Sequence, residues 1–268
     1  MNLLLTNDDG IDAGGLLALA MELQRWGELT VVAPRVQQSG VGHAITYRTP
    51  ITAERVEVPG AAEAYAVDGT PADCVKFGLL QALQERPDLI VSGINEGLNL
   101  GQNVFYSGTV AAAVEGAMLG VRSVALSSHP ENFDRLGLLA GECVRVLKAI
   151  CDLDTGRPAA YNVNLPALNC DPPQMRFARH SEAPFSERYR PEKGGGGGPQ
   201  RFKLDLQFTD ETHGGEDCDV AVVEAGMISV TPLKASLTDT DGLRRWCGMG
   251  PVEAEASCSG SSDTVGGR

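Results

Sequence analysis

Two adjacent carboxylates, Asp8 and Asp9, stand in the run Asn7-Asp8-Asp9-Gly10, between the apolar stretch Leu3-Leu4-Leu5 and a helix-forming stretch that opens at Leu16. Carboxylate oxygens are hard ligands of the kind that bind Mg²⁺ or Mn²⁺. Successive side chains on a regular strand point to opposite faces, so joint use of both acids requires the chain to turn here, and Gly10 makes the turn easy. The same four residues also suit a solvated turn with a helix cap.

Three further stretches carry groups able to join them. In APRVQQSGVGHAIT, Ser39 follows a strand-like run and offers a hydroxyl to a metal or a phosphate oxygen, although serine beside glycine is also ordinary loop chemistry. His43 in the same loop has the chemistry of an acid, base or ligand, and equally that of a hydrogen-bonded structural residue. The stretch GINEGLNLGQN repeats Gly-x-Asn at Gly93/Asn95, Gly97/Asn99 and Gly101/Asn103. Glycine at that spacing disfavours a stable helix, and asparagine supplies a neutral carbonyl ligand and an amide donor; Asn95, nearest the strand end, is the candidate fourth group at a metal. Ser107-Gly108-Thr109 then precedes an alanine-rich helix, whose first N–H groups and flanking hydroxyls suit a phosphate. A helix cap is the conservative interpretation of the same residues, and the lysine of a P-loop is absent.

These groups need elements to hold them. Leu3 to Leu5 reads as a strand buried on both faces, followed by a helix over Leu16–Trp26 and a second strand over Leu29–Ala33. Ile51 to Val67 reads as a small excursion of short strands. Thr70 caps a helix from Pro71 to Leu83, with Asp68 and Asp73 in turn and cap duty. Pro87–Ser92, Arg122–Ser127 and Ala160–Pro166 read as strands, and Asn132–Cys151 as a helix at regular apolar spacing. Repeated strand-then-helix units predict a doubly wound, mostly parallel α/β sheet, whose ligand crevice lies at the carboxyl ends of the strands. No G-x-G-x-x-G follows the first strand, which disfavours a dinucleotide cofactor.

Beyond Pro166 the pattern changes. Met175–Ala178 and Phe202–Leu206 are strand candidates flanking an arm with five glycines, Gly194 to Gly198, and with Arg179, His180, Arg188 and Arg190 as possible anion attractors. Met227–Leu233 is a last strand. Residues 1–240 are expected to form one domain, with the arm at about 175–208, and 241–268 a flexible tail.

With 22 Lys and Arg against 35 Asp and Glu, the chain carries a formal charge of −13, which argues against nucleic-acid duplexes and anionic membranes as partners. The opening residues show neither a basic segment nor a long apolar run, so a cytoplasmic protein is expected. Seven scattered cysteines without a C-x-x-C pair argue against a disulfide framework or a zinc site.

Taken together, LLTNDDGI at 4–11, APRVQQSGVGHAIT at 33–46, VDGTPADCV at 67–75, PDLIVSGINEGLNLG at 87–101, VFYSGTVAAAVEG at 104–116, YNVNLP at 161–166 and ISVTPL at 228–233 resemble the SurE family. Its members are stationary-phase survival proteins, metal-dependent nucleoside monophosphate phosphatases. The resemblance places the metal ligands on Asp8, Asp9, Ser39 and Asn95, with one divalent cation, Mg²⁺ or Mn²⁺, per subunit. It further implies a Rossmann-like core with helices on both faces, a projecting β-hairpin and a carboxyl-terminal segment exchanged between subunits, and homodimers or homotetramers. The chain departs from the family at Asp12 and Ala13-Gly14-Gly15, where His and Ala-Pro-Gly are expected, and in the 194–198 glycine tract.

The expected activity is hydrolysis of nucleoside monophosphates to nucleoside and phosphate by direct water attack. Asp8, Asp9, Asn95 and Ser107 would act in catalysis, and Ser39, Asn95, Ser107, Gly108 and Thr109 would contact substrate phosphate. A covalent route through Asp8 lacks the D-x-D spacing common to such phosphatases. A catalytically inactive nucleotide- or phosphate-binding regulator, and an interaction protein working through the glycine arm, are the alternatives from other classes.

Overall fold

The computed structural model describes residues 1–153, 159–169, 172–183, 186–192, 200–207 and 215–247. Met1–Ala235 forms one compact unit, and a second begins at Ser236. The expected glycine arm at 194–198 and most of the expected tail lie outside the described residues.

Leu3, Leu4 and Leu5 are fully buried in β1 (Asn2–Thr6), the strand on which the main sheet is centred. β1 lies parallel between β2 (Glu28–Pro34) and β5 (Leu89–Glu96), with Leu5 in register with Val31 on one side and Val91 on the other. Alternation then divides the core. Leu3, Leu5, Val31 and Val91 pack with α1 (Gly14–Leu23) and α4 (Leu136–Cys151), whereas Leu4, Val32 and Ile90 pack with α2 (Pro71–Phe77) and α3 (Gly108–Met118). Both faces of the strand are thus covered, which is why its apolar residues run consecutively rather than alternating with polar ones. Each buried leucine contributes about 2 kcal/mol.

The sheet has nine strands in the order β3-β4-β2-β1-β5-β6-β7-β11-β8, where β3 is Ala53–Val56, β4 Glu63–Val67, β6 Ser123–Ser128, β7 Ala160–Leu165, β8 Met175–Phe177 and β11 Ile228–Leu233. β4 through β7 run parallel, and antiparallel pairings occur at β3 and between β7 and β11. The expected mostly parallel sheet with helices on both faces is the observed one.

Several expectations are corrected. The Ile51–Val67 excursion is instead the edge of the main sheet, because Ala64 and Ala66 are buried while β4 pairs in parallel with β2. Met175–Phe177 is not part of the arm: it pairs in parallel with β11, which leaves β9 (Ser186–Pro191) and β10 (Phe202–Gln207) as a separate antiparallel ribbon. The helix read from Asn132 starts as a 3-10 turn, Pro130–Arg135, before α4. Thr70 and Asp73 form a reciprocal capping box at α2, with Pro71 in the first turn, as read from the sequence. That helix passes into a π-turn over Gly78–Ala82.

α5 (Asp219–Glu224) precedes β11. The second unit contains α6 (Thr240–Cys247), whose first amides, from Asp241 and Gly242, donate to the Asp239 carboxylate. Among the described residues no helix is long and apolar enough to cross a membrane.

Candidate active site

The chain leaves β1 toward β2 and later returns to the other side of β1 as β5, so the strand order reverses at this point. The loops following β1 and β5 diverge to opposite faces, and a crevice opens at the carboxyl edge between them. Asp8 and Asp9 follow β1, Ser39 follows β2, Asn95 is the last but one residue of β5, and the amino terminus of α3 comes from the segment after β5.

The turn needed to use both acids is built by Asn7 and Gly10. Asn7 Nδ2 donates to the Gly10 carbonyl at 2.9 Å, and the Gly10 N–H donates to Asn7 Oδ1 at 3.2 Å. Gly10 has φ +108°, a conformation that side chains with a Cβ rarely adopt. The strand therefore stops and the two carboxylates turn to the same edge.

Asp8 is only 4% exposed and faces the first turn of α3. The Thr109 N–H donates to Asp8 Oδ2 at 3.1 Å, and the Thr109 hydroxyl donates to Asp8 Oδ1. A Cβ on Gly108 would lie 2.8 Å from Asp8 Cβ, so only glycine admits the carboxylate this close to the helix terminus. Burial pushes the Asp8 carboxyl above its ordinary range, and the Thr109 and Gly108 hydrogen bonds oppose that rise.

Asp9 is more accessible. Burial, then the Asp8 charge, push its carboxyl up to about 6; hydrogen bonds from Gln37 and from the Glu96 amide oppose the shift. Two acids this close in a partly dry crevice favour either a shared proton or a cation.

The loop after β2 is tied to both acids. The Gln38 N–H donates to the Asp8 carbonyl at 2.7 Å. Gln37 Nε2 donates to Asp9 Oδ1 at 3.2 Å and to Ser39 Oγ at 2.9 Å. At its far end His43 Nε2 lies 2.7 Å from Glu115 Oε2, and Lys76 Nζ lies 2.5 Å from Glu115 Oε1. Burial raises the Glu115 carboxyl, but these two partners outweigh it and leave the group below its usual range. His43 thus fastens the loop to α3, at the carboxylate that Lys76 of α2 also holds.

Asn95 is still within β5, which runs past the Ser92 expected to end it, with a register shift against β6 between Ser92 and Asn95. Asn95 Nδ2 donates to the Gly97 carbonyl at 2.8 Å, a bond that uses the amide nitrogen and not Oδ1. The loop beyond is held by Asn99. Its N–H donates to Asn164 Oδ1 at 2.7 Å, its Nδ2 to Ser127 Oγ at 2.8 Å, and its carbonyl accepts from Asn162 Nδ2 at 2.8 Å.

Ser107 is the N-cap of α3, accepting from the Val110 N–H at 3.1 Å. The cap interpretation thus describes Ser107 Oγ as an acceptor, and its hydroxyl proton remains for another partner. Thr109 serves Asp8.

Asp8 accordingly meets Gly108 and Thr109 directly, Asp9 meets Ser39 through Gln37, and Asn95 adjoins the Glu96 amide that reaches Asp9. The arm cations are otherwise engaged: Arg179 pairs with Asp217 at 3.1 Å, and Arg188 and Arg190 with Asp205 at 3.8 and 2.5 Å. Gln37, Glu96, Lys76 and Glu115 were not singled out from the sequence. The only signal for Gln37 was its position two residues before Ser39.

Among the described residues no group of three or more His, Cys, Asp or Glu side chains is placed to hold a metal. Two carboxylates, one hydroxyl and one amide carbonyl on one edge are nevertheless an all-oxygen donor set, which suits a hard divalent cation.

The family model described as survival protein SurE matches residues 3–187. A 5′-nucleotidase SurE from Rhodopirellula baltica is 41% identical over 248 residues, covering 91% of this chain and 96% of the relative. The protein of the same name from Thermosipho melanesiensis is 39% identical over 246 residues, again covering 91% and 96%. The crystal structure of SurE from Aquifex aeolicus superposes with a TM-score of 0.78 at 33% identity, covering 93% of this chain and 99% of that one. The chain belongs to the survival protein SurE family.

Proposed function

We propose that this protein is a 5′-nucleotidase-type phosphatase, a metal-dependent phosphomonoesterase that cleaves nucleoside monophosphates by direct attack of water. The observation that carries the reading is that Asp8 accepts from Thr109 at the first turn of α3 while Gln37 joins Asp9 to Ser39; Asn95, near the carboxyl end of β5, is proposed as the fourth group.

Asp8, Asp9, Ser39 and Asn95 would hold one Mg²⁺ or Mn²⁺. Such a cation, when bound, neutralises phosphate charge and acidifies a coordinated water. The −13 net charge gives a phosphate ester no broad attraction, so local neutralisation at this edge is what substrate binding requires. Asp8 is set by Thr109 and the closeness of Gly108. Asp9, the more accessible acid, orients the attacking water and takes its proton. The Ser107 hydroxyl donates to a phosphate oxygen, and the Gly108–Thr109 turn adds the favourable potential of a helix amino terminus. Water oxygen bonds to phosphorus as the ester bond breaks, and the leaving nucleoside oxygen takes a proton from solvent in exchange for the one passed to Asp9, giving nucleoside and orthophosphate.

A cytoplasmic location is part of the proposal, and the free thiols of Cys74, Cys143 and Cys151 support it. It is proposed to act as a homodimer or homotetramer.

Phosphate release measured across nucleoside monophosphates with Mg²⁺ and Mn²⁺ tests the activity. Single turnover with excess enzyme in ¹⁸O-water tests the route: direct attack places label straight into phosphate. Label appearing first in Asp8 would overturn direct attack, and nucleotide binding without release under every metal would overturn the activity.

A further inference from the structure

Gln37 is exposed and lies in the loop after β2, yet its side-chain amide touches two of the four proposed ligands at once. Nε2 is 3.2 Å from Asp9 Oδ1 and 2.9 Å from Ser39 Oγ. A primary amide carries two N–H groups, so each contact has its own proton. We infer that Gln37 is a positioning residue, a neutral latch that sets the Asp9 carboxylate and the Ser39 hydroxyl at a fixed separation for a divalent cation. The inference rests on the metal-centred reading above.

Acceptor capacity allows the latch and the cation together. A carboxylate offers about four lone-pair positions and a serine hydroxyl two, so one bond given to Gln37 leaves each oxygen group able to ligate. The latch is also neutral. A lysine or arginine making the same two contacts would hold Asp9 equally well while cancelling the charge that draws a cation; an amide holds it and leaves the charge intact.

The loop does not depend on Gln37 for its general course. The Gln38 N–H donates to the Asp8 carbonyl at 2.7 Å, the Gly42 N–H donates to the Tyr106 carbonyl at 3.0 Å, and His43 lies 2.7 Å from Glu115. Those contacts fix the backbone on either side of Ser39. Among the described residues, Gln37 alone links the Ser39 side chain to Asp9. Its loss should therefore free two ligand side chains while leaving the fold as it was, and outer-sphere partners of this kind are typically worth about 10- to 100-fold in metal affinity.

The test is Mn²⁺ affinity by titration calorimetry, with the Mn²⁺ EPR spectrum as a second readout, in wild type, Gln37→Met, Ser39→Ala and the double variant. Methionine matches glutamine in length and lacks the donors. We expect Gln37→Met to bind Mn²⁺ about tenfold more weakly, with a broadened spectrum and an unchanged thermal midpoint of the metal-free protein. The loss should shrink in the Ser39→Ala background, because one of the two latched groups is already gone. Wild-type binding with equal affinity in Gln37→Met would overturn the latch alone, as would an equal loss in both backgrounds. Failure of the wild type to bind Mn²⁺ would overturn the metal-centred reading on which it stands.

Discussion

Asp9 carries two opposing demands, and its variants separate them. Its carboxyl is pushed to about 6 by burial and by Asp8, so the metal-free protein holds a group whose ionisation is less favourable folded than unfolded. The favourable contribution of the protonated acid is complete below the ordinary carboxylate range and is lost as pH rises through 6. Asn at this position has no charge to desolvate. Asp9→Asn should therefore raise the thermal midpoint of the chelator-treated protein at pH 7, with a smaller gain at pH 5, while abolishing phosphate release. A midpoint that falls at pH 7, or turnover that survives, would contradict this account. Gly108 poses a steric counterpart: a Cβ there would lie 2.8 Å from Asp8 Cβ and 3.0 Å from Pro71 Cγ. Gly108→Ala should cost about 1–3 kcal/mol in urea unfolding and depress turnover by moving Asp8. An unchanged unfolding midpoint would show that the two groups part without strain.

The segment between β5 and α3 is held by an element far away in the chain. Asp219, at the start of α5 and fully buried, accepts from the Gly101 N–H at 2.9 Å and from the Ser181 N–H at 2.8 Å. Asp219→Asn keeps the shape but sets an NH₂ group against one of those donors. It should destabilise by about 1.5–3 kcal/mol, and amide exchange at Gly101 should accelerate; protection at Gly101 equal to wild type would refute the tether. This contact also shows where sequence reasoning stops. Consecutive leucines revealed β1 because burial on both faces leaves a local mark, and Thr70-Pro71 revealed the start of α2 because capping is local. Asp219 and Gly101 are 118 residues apart, and nothing near either names the other. The β3 and β4 edge was misread for a similar reason, since whether a short strand joins the main sheet depends on its partner rather than its own composition. In the site, the proposed ligand residues stand out at turn and strand ends, whereas Gln37 and the Thr109 contact to Asp8 exist only once the loops converge.

The β9–β10 ribbon raises the question of how many chains make the working protein. Its register sets Leu204 opposite Tyr189 and Phe202 opposite Pro191, so those four side chains share one face, while Lys203, Arg190, Asp205 and Arg188 share the other. Tyr189 is 69%, Phe202 52% and Leu204 41% exposed. A lone two-stranded ribbon is marginal in water, and among the described residues no main-sheet strand pairs with this one. The polar face is already arranged, with Asp205 between Arg188 and Arg190, so what the ribbon lacks among the described residues is cover for its apolar face. The proposed second copy of the chain would supply that cover at both ribbons at once through a twofold contact. Sedimentation velocity should give an even-numbered assembly for the wild type. Phe202→Ser with Leu204→Asp should shift it toward monomer and lower the thermal midpoint, because the replaced side chains are those exposed in the single chain. A monomeric wild type whose ribbon amides remain protected from exchange would show that the ribbon stands alone and would remove the argument for association.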